Sequence, residues 1–523
     1  MISVRKIRAA RPLAAALLLS TLVLGSARVV PAGVQAAVSH ASDPNTLTIG
    51  WDTETKTLDP VNNPQNPDIW VDVNIYDMLI RTGNDGKSLT PDLATSWNIS
   101  KDGTVYTFHL RPGVKFHDGT PLTAADVKFC LDRARDPKES WSWTLAAIKK
   151  VEAPNSSTVV VTLTHPWAPF LSDVSLFDAV IYPMAYFQKH GASYMSSHPI
   201  GTGPYMFEKW VRGQYLRLKK NPNYFMAGKF PMQHVEFDLI PDANTRLLKV
   251  EAGELDVDNV LPHNQISAAK SNPAVQVVID PSTETEYLDF NTRVKPLGDV
   301  NVRQAINHAI DRAALIRAVL YGIGTPANSF IPKGAIDHDP NIPVPTYDLK
   351  LAKQYLSKSS VPHGFSMTME VAAGNKEYEQ TAQVFQNEMA ALGIKVTLNP
   401  MDPTTLFNNQ NVGKYHFTET LWTNDIPDPD ELVAFTCNYA SGSWNFLTWY
   451  NNPKVTALSH QAEQSNDSAT RQRLYYQIQE IWAHDVWIIA LYYVPFVNAV
   501  SSHVHGFHEN PLGYFNLQGV TKS

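Results

Sequence analysis

The chain has 523 residues, of which 44% are hydrophobic and 18% charged, and its formal net charge is −7. That length allows two to four domains, and the composition excludes a disordered polymer or an integral membrane protein. The acidic balance argues against nucleic acid and against anionic membrane surfaces as partners.

Residues 1–36 stand apart. Arg5, Lys6, Arg8 and Arg11 make a basic start, Leu13 to Leu24 is apolar, and Val34-Gln35-Ala36 fits a small-x-small cleavage site. The pattern predicts a signal peptide over 1–36 and an exported mature chain. Losing that segment removes five positive charges and takes the formal charge from −7 to −12. No Cys follows the apolar stretch, so lipid attachment is not expected. The two cysteines, Cys130 and Cys437, lie far apart and lack metal-ligand spacing.

Alternation predicts a half-buried strand over 45–51, then a turn at Leu58-Asp59-Pro60. A polar, proline-fixed loop over 64–68 and a short helix over 72–79 follow. Asn84-Asp85-Gly86 marks a hairpin turn. Gly83 to Ser88 imitates a phosphate loop, but Arg81 stands where the first glycine should be. Two alternating runs around Lys101-Asp102-Gly103 predict a β-hairpin over 93–111. Thr123-Ala124-Ala125-Asp126 reads as a capping box opening a helix, with Val127, Cys130, Leu131 and Ala134 as its buried stripe.

Further strands are expected over 159–163, 235–240 and 287–291, and a helix over 243–252 stopped by Gly253. From Asp299 the texture becomes helix–strand alternation. Helices are expected over 302–321, 349–357, 378–392 and 471–484, strands over 365–371 and 394–398, and an aromatic-rich strand region over 490–500. This rhythm implies an open α/β sheet. His503, His505 and His508 read as a polar edge, with a metal cluster as the alternative.

One stretch carries chemistry. Leu421-Trp422-Thr423-Asn424-Asp425-Ile426-Pro427-Asp428-Pro429-Asp430-Glu431 sets carboxylates beside an indole at a strand end. The prolines force a turn. A carboxylate beside an aromatic wall suits an ammonium group, with cation–π attraction of roughly 0.5–2 kcal/mol. The alternative is an acidic surface turn capping a helix.

The stretch Asp102-Gly103-x-x-Tyr106-x-Phe108-x-Leu110-Arg111-x-Gly113-Val114-x-Phe116-His117-Asp118-Gly119-x-Pro121-Leu122-Thr123-Ala124-x-Asp126-Val127 resembles the signature region of the peptide/nickel class of extracellular solute-binding proteins, family 5, which serve ABC importers. Leu58-Asp59-Pro60, Gly201-Thr202-Gly203-Pro204-Tyr205, Asn221-Pro222-x-Tyr224 and Pro296-Leu297-x-Asp299-x-x-Val302-Arg303-Gln304-Ala305-Ile306 match in the same order. So do Asp311-Arg312 and Gly322-x-Gly324-x-Pro326. The resemblance spans nearly all of 45–523.

It implies an α/β, periplasmic-binding-protein-like two-lobed clamp (type II, large peptide-binding class) with an extra domain. Lobe I would comprise 45–78, 199–288 and 497–523. Accessory domain II would be 79–198 and lobe III 289–496. The expected function is capture of di- or oligopeptides between the lobes and delivery to a membrane permease and its ATPase. The expected protein is a non-enzymatic monomer without cofactor. A nickel chelate, oligosaccharide or opine on the same clamp is the alternative, and a secreted hydrolase the different-class rival; no G-x-S-x-G, H-E-x-x-H or C-x-x-C is present.

In peptide binders of this family, the Asp three residues after a strand-end Trp pairs with the peptide α-amino group. Trp422-x-x-Asp425 fits, with Thr423 and Asn424 between them, and Asp428 is expected to be structural. The loop after Leu58-Asp59-Pro60 points to Pro64, Gln65 and Asn66 as ligand contacts. The resemblance adds Trp444 and Asn445. Dipeptide-binding relatives carry an Arg after the strand matching 365–371; Asn375 and Lys376 stand there, and Lys lacks the bidentate fork. Relatives also pair a Cys at Cys437 with one about a dozen residues later; Trp449-Tyr450 occupies that neighbourhood.

Overall fold

The computed structural model describes residues 43–62, 65–439 and 445–523. The segment 1–36, expected as a signal peptide, and Pro64 and Trp444 lie outside the described residues.

Among the described residues, three sheets organise the chain. The first has seven strands, in the order Val275–Asp280, Phe496–Ser501, Val257–Asp258, Thr46–Trp51, His234–Leu239, Tyr215–Lys220, Tyr205–Val211. The second has six, in the order Thr325–Pro326, Ile488–Tyr493, Thr285–Phe290, Phe417–Trp422, Ser366–Ala372, Lys395–Met401. The third has four: Ala94–Ile99, Val105–Leu110, Thr158–Leu163, Ile148–Asn155.

Strand Thr46–Trp51 is almost wholly buried rather than half-buried. It pairs in parallel with His234–Leu239 and Val257–Asp258, and a parallel strand inside a sheet is covered on both faces. In the second sheet, Ser366–Ala372 pairs in parallel with Lys395–Met401 through helix Lys376–Ala390. That is the βαβ unit expected from the alternation.

The sequence signals map onto local structure in most places. The Lys101-Asp102-Gly103 turn joins two antiparallel strands, with Gly103 at φ +70°. The Thr123–Asp126 capping box forms: the Asp126 carboxylate accepts from the Thr123 backbone N–H at 3.0 Å. Gly83 to Ser88 is a hairpin connection. Cys130 and Cys437 are both buried and free.

Two helices differ from expectation. The helix expected over 72–79 runs instead over Asn66–Ile75, with Pro67 in its first turn, where a missing N–H costs nothing. It ends because Tyr76 is extended and Asp77 turns away to bind Arg81, Thr202 and Tyr224. The single helix expected over 302–321 is two, Val300–Ala309 and Arg312–Val319. Ile310 is extended, and Asp311 restarts the helix by accepting the Ala314 N–H at 2.9 Å.

The motif residues act mainly as fasteners. Arg133 grips Asp59 with two bonds, of 2.8 and 2.6 Å, joining the segment after the first strand to the helix Ala124–Ala134. Gly203 donates to Ile75 O at 2.9 Å, and a Cβ at Gly201 would meet Ile75 O at 2.1 Å, so only glycine permits that approach. Arg303 donates to the carbonyls of Asp485, Val486 and Leu297, and Gln304 to those of Ala483 and His484. The bonds to Ala483, His484 and Asp485 satisfy C-terminal carbonyls of helix Ser468–Asp485.

One hydrophobic core runs through the first and third sheets together, from Leu47 and Ile49 to Tyr106, Phe108 and Val161. A second core lies on the second sheet, around Leu288, Val302, Met369 and Phe417. The chain passes between the first and second sheets at 281–284 and again at Val494-Pro495, inside the region expected as one aromatic strand. These two crossings touch. The Ser282 hydroxyl donates to Val494 O, and Val494 N–H donates to Glu284 O at 3.1 Å.

Candidate functional site

A cavity of about 630 Å³ opens beside the two crossings, with Glu284, Val494, Pro495 and Phe496 in its wall. Its lining draws on every part of the fold. Helix Asn66–Ile75 gives Gln65, Asn66, Ile69 and Trp70; the 140–143 turn gives Ser140, Trp141 and Trp143; the end of strand Phe417–Trp422 gives Trp422, Thr423 and Asp425. The C-terminal strands contribute Glu509, Gly513 and Tyr514.

Aromatic rings dominate the wall. Trp422 meets Phe435 edge-on at 4.9 Å, Phe435 meets Trp143 at 5.5 Å, and Trp141 lies 6.2 Å from Trp143. Such edge contacts hold each ring in one orientation. Trp70 is fixed by its indole N–H, which donates to Gly513 O at 2.8 Å. A rigid apolar cavity of this size with a few polar groups has the build of a small-molecule site.

Three carboxyls stand among the polar groups of the lining. Asp425, Glu284 and Glu509 line the cavity, and among the described lining residues there is no lysine or arginine. Burial pushes Asp425 up to about 6, Glu284 to about 7 and Glu509 to about 8. His263, also in the wall, is engaged by Glu377 of helix Lys376–Ala390 at 2.9 Å.

The turn that carries Asp425 is held from behind by Glu431. Its carboxyl accepts the Trp422 indole N–H at 2.9 Å, the Asp425 N–H at 3.0 Å and the Ile426 N–H at 3.3 Å. Burial, and next the charge of Asp425, push Glu431 well above the usual carboxylate range. The Tyr514 hydroxyl donates to Asp425 O at 3.0 Å. Asp428 sits away from the cavity, where it accepts from the Asp430 N–H and from Arg471 at 2.8 Å.

Of the residues singled out in the sequence, Gln65, Asn66, Trp422, Thr423 and Asp425 meet in this cavity. Asn424 is buried behind it, its N–H donating to Thr283 Oγ1 at 3.1 Å. Asn375 caps helix Lys376–Ala390, and Lys376 points to solvent, paired with Glu379 at 2.7 Å; neither lines the cavity. Asn445 is buried and donates to Tyr450 O at 2.6 Å, outside the lining. Near the C-terminus, His508 pairs with Asp280 and His505 with Ser523, and the described residues hold no group of three metal-ligating side chains.

Sequence reading missed Glu284, Glu509, His263, Trp70 and Tyr514. Each stands alone in its own segment with no local pattern to mark it. Trp141-Ser142-Trp143, a pair of indoles outside any strand, was the one local signal available.

Comparison with known proteins agrees with this architecture. The sequence model of the bacterial extracellular solute-binding proteins, family 5 (middle), matches residues 88–444. The glutathione-binding protein GsiB of Pectobacterium atrosepticum is 30% identical over 516 residues, 96% of this chain and 99% of its own. The solved structure of HbpA2 from Haemophilus parasuis superposes with a TM-score of 0.80 at 29% identity, covering 92% of this chain and all of that one. The periplasmic binding protein DppA of Helicobacter pylori, in complex with the peptide STSA, gives 0.80 at 27% identity, over 91% of this chain and 98% of its own. The two-sheet clamp, the cavity beside the crossings and these matches together make the chain a member of the bacterial extracellular solute-binding proteins, family 5.

Proposed function

We propose that this protein is the exported binding component of an ABC importer, which captures a peptide in the aromatic cavity and passes it to a membrane permease and ATPase. The observation that carries the reading is Asp425. It stands at the end of a strand, in a cavity wall that offers aromatic faces, carboxyls and, among the described residues, no lysine or arginine. Such a wall is built to receive an ammonium group. Relatives that bind glutathione or the peptide STSA support the ligand class. The basic and apolar segment 1–36 supports export.

In this reading 45–78, 199–288 and 497–523 form lobe I, 79–198 is accessory domain II and 289–496 is lobe III. The crossings at 281–284 and 494–495 serve as the hinge. The protein binds and releases without catalysis. Asp425 takes the peptide α-ammonium, and Trp422 and Trp70 supply aromatic faces of the same cavity. Lys376 faces solvent, paired with Glu379, and lies outside the cavity lining.

The test is calorimetric titration with trialanine and its N-acetylated form. Stranding one partner of a desolvated ion pair costs about 3–5 kcal/mol. Asp425→Ala should therefore weaken trialanine binding by roughly 100-fold or more. Asp425→Asn should be nearly as damaging, and Asp428→Asn much less so. Acetylated peptide should bind the native protein poorly and lose little more on mutation. Normal binding by Asp425→Ala, with acetylation tolerated, removes the amino anchor. Mass spectrometry of whatever co-purifies then identifies the ligand class directly.

A further inference from the structure

Beyond Asp425 the cavity contains two more carboxyls that the amino anchor does not use. Glu284 lies in the crossing 281–284, and its Oε2 accepts the Thr423 hydroxyl at 3.1 Å. Glu509 reaches in from the C-terminal strands, and its Oε2 accepts the Asn498 amide at 2.7 Å. Both are thus oriented by neutral donors, Thr423 just past a strand of the second sheet and Asn498 within a strand of the first. Burial, and then the charges of Asp280 and Glu284, push Glu509 up. Three carboxyls share the chamber with one imidazole, His263, which acts on Glu284 and is itself held by Glu377, and the described lining residues include no lysine or arginine.

We propose that Glu284 and Glu509 form a second cation subsite, so that the preferred ligand is a peptide with a basic side chain as well as a free amino terminus. The inference rests on the reading of Asp425 as the amino anchor. One ammonium neutralises one carboxylate and leaves two buried beside it. Burying unpaired carboxylates is expensive, so burial favours their protonated forms. A second ammonium or guanidinium replaces those protons with a partner of opposite charge. The aromatic wall accommodates the apolar stem of a long basic side chain, which packs its methylenes and presents its charge at the tip.

The experiment uses trialanine and tripeptides in which one alanine, at each position in turn, becomes lysine or norleucine. Norleucine supplies the stem without the charge. Lysine at one position should tighten binding about 10- to 100-fold over norleucine at the same position, the effect of one charge-assisted hydrogen bond. In Glu509→Gln and Glu284→Gln that lysine-to-norleucine ratio should fall toward one. Circular dichroism and thermal melts confirm that both variants fold. If trialanine binds through Asp425 but lysine and norleucine never differ, the second subsite is overturned and the amino anchor stands. If the ratio persists in both variants, the subsite is elsewhere and the assignment is overturned. If no peptide binds, the peptide reading and this inference fall together.

Discussion

At Asp425 the carboxyl's environment gives ligand affinity a pH dependence with a definite sign. Burial holds the free carboxyl up at about 6. An ammonium beside it favours the charged form and pulls the bound value down. The free protein therefore binds more protons than the complex, and binding releases protons. This group's contribution is complete above about pH 7 and is lost as pH falls through 6, at about tenfold per unit. Glu284 and Glu509 face the same cavity and also sit high, at about 7 and about 8, and Glu431 stands behind the turn. The single-proton slope is accordingly read with trialanine, which carries one cation. Titrations from pH 7 to pH 5, a range in which the peptide α-amino group (ordinarily about 7.7–8.0) stays charged, should show affinity falling as pH drops, and Asp425→Asn should reduce that fall. Constant affinity across the range would exclude an ammonium at Asp425.

The strand end, its turn and helix Asp430–Thr436 behave as one element because of Glu431. Three N–H donors, from Trp422, Asp425 and Ile426, converge on one carboxyl that is 2% exposed. Without it, those donors are buried and unpaired. Glu431→Ala should destabilise the protein by about 2–4 kcal/mol, measured by denaturant unfolding. Glu431→Gln keeps an oxygen for the two backbone donors and should cost less. The alanine variant should also weaken trialanine binding, because the Trp422 ring and the Asp425 turn lose their common anchor. A fully stable Glu431→Ala protein would show that the turn is held by its prolines alone. Leu58-Asp59-Pro60, Gly201 to Tyr205 and Val302 to Ile306 obey the same logic at their own places: each ties one element to another, and none lies in the cavity.

At the level of the molecule, two short crossings carry all covalent continuity between the first and second sheets among the described residues. They run side by side, hydrogen-bonded through Ser282, Glu284 and Val494, and they form part of the cavity wall. A paired ribbon of this kind bends with small changes in φ and ψ while each sheet keeps its own core. Ligand in the cavity should draw the lobes together. Small-angle scattering with saturating trialanine should show a smaller radius of gyration than the ligand-free protein. An unchanged radius would count against a hinge at 281–284 and 494–495. The four-stranded sheet shares its core with the first sheet, so the two should move as a single body.

What the residues determined by themselves is local. Alternation, caps and turn dipeptides act over a few positions, so the 94–110 hairpin, the Thr123 cap and the βαβ unit over 366–401 could be read before any fold was known. The ordered motifs then identified the family, and Trp422-x-x-Asp425 marked one acid at a strand end. Tertiary structure decided the rest. Whether 300–319 forms one helix or two depends on Asp311 capping Ala314 and on Arg312 reaching Ala490, a contact 178 residues away. That 490–500 serves two sheets follows from Pro495, which joins no ladder, and from pairing partners hundreds of residues distant. The acids that share the cavity with Asp425 come from 284 and 509 and are joined only by folding. Their high pKa values come from burial, a property of the assembled chamber that no stretch of sequence contains.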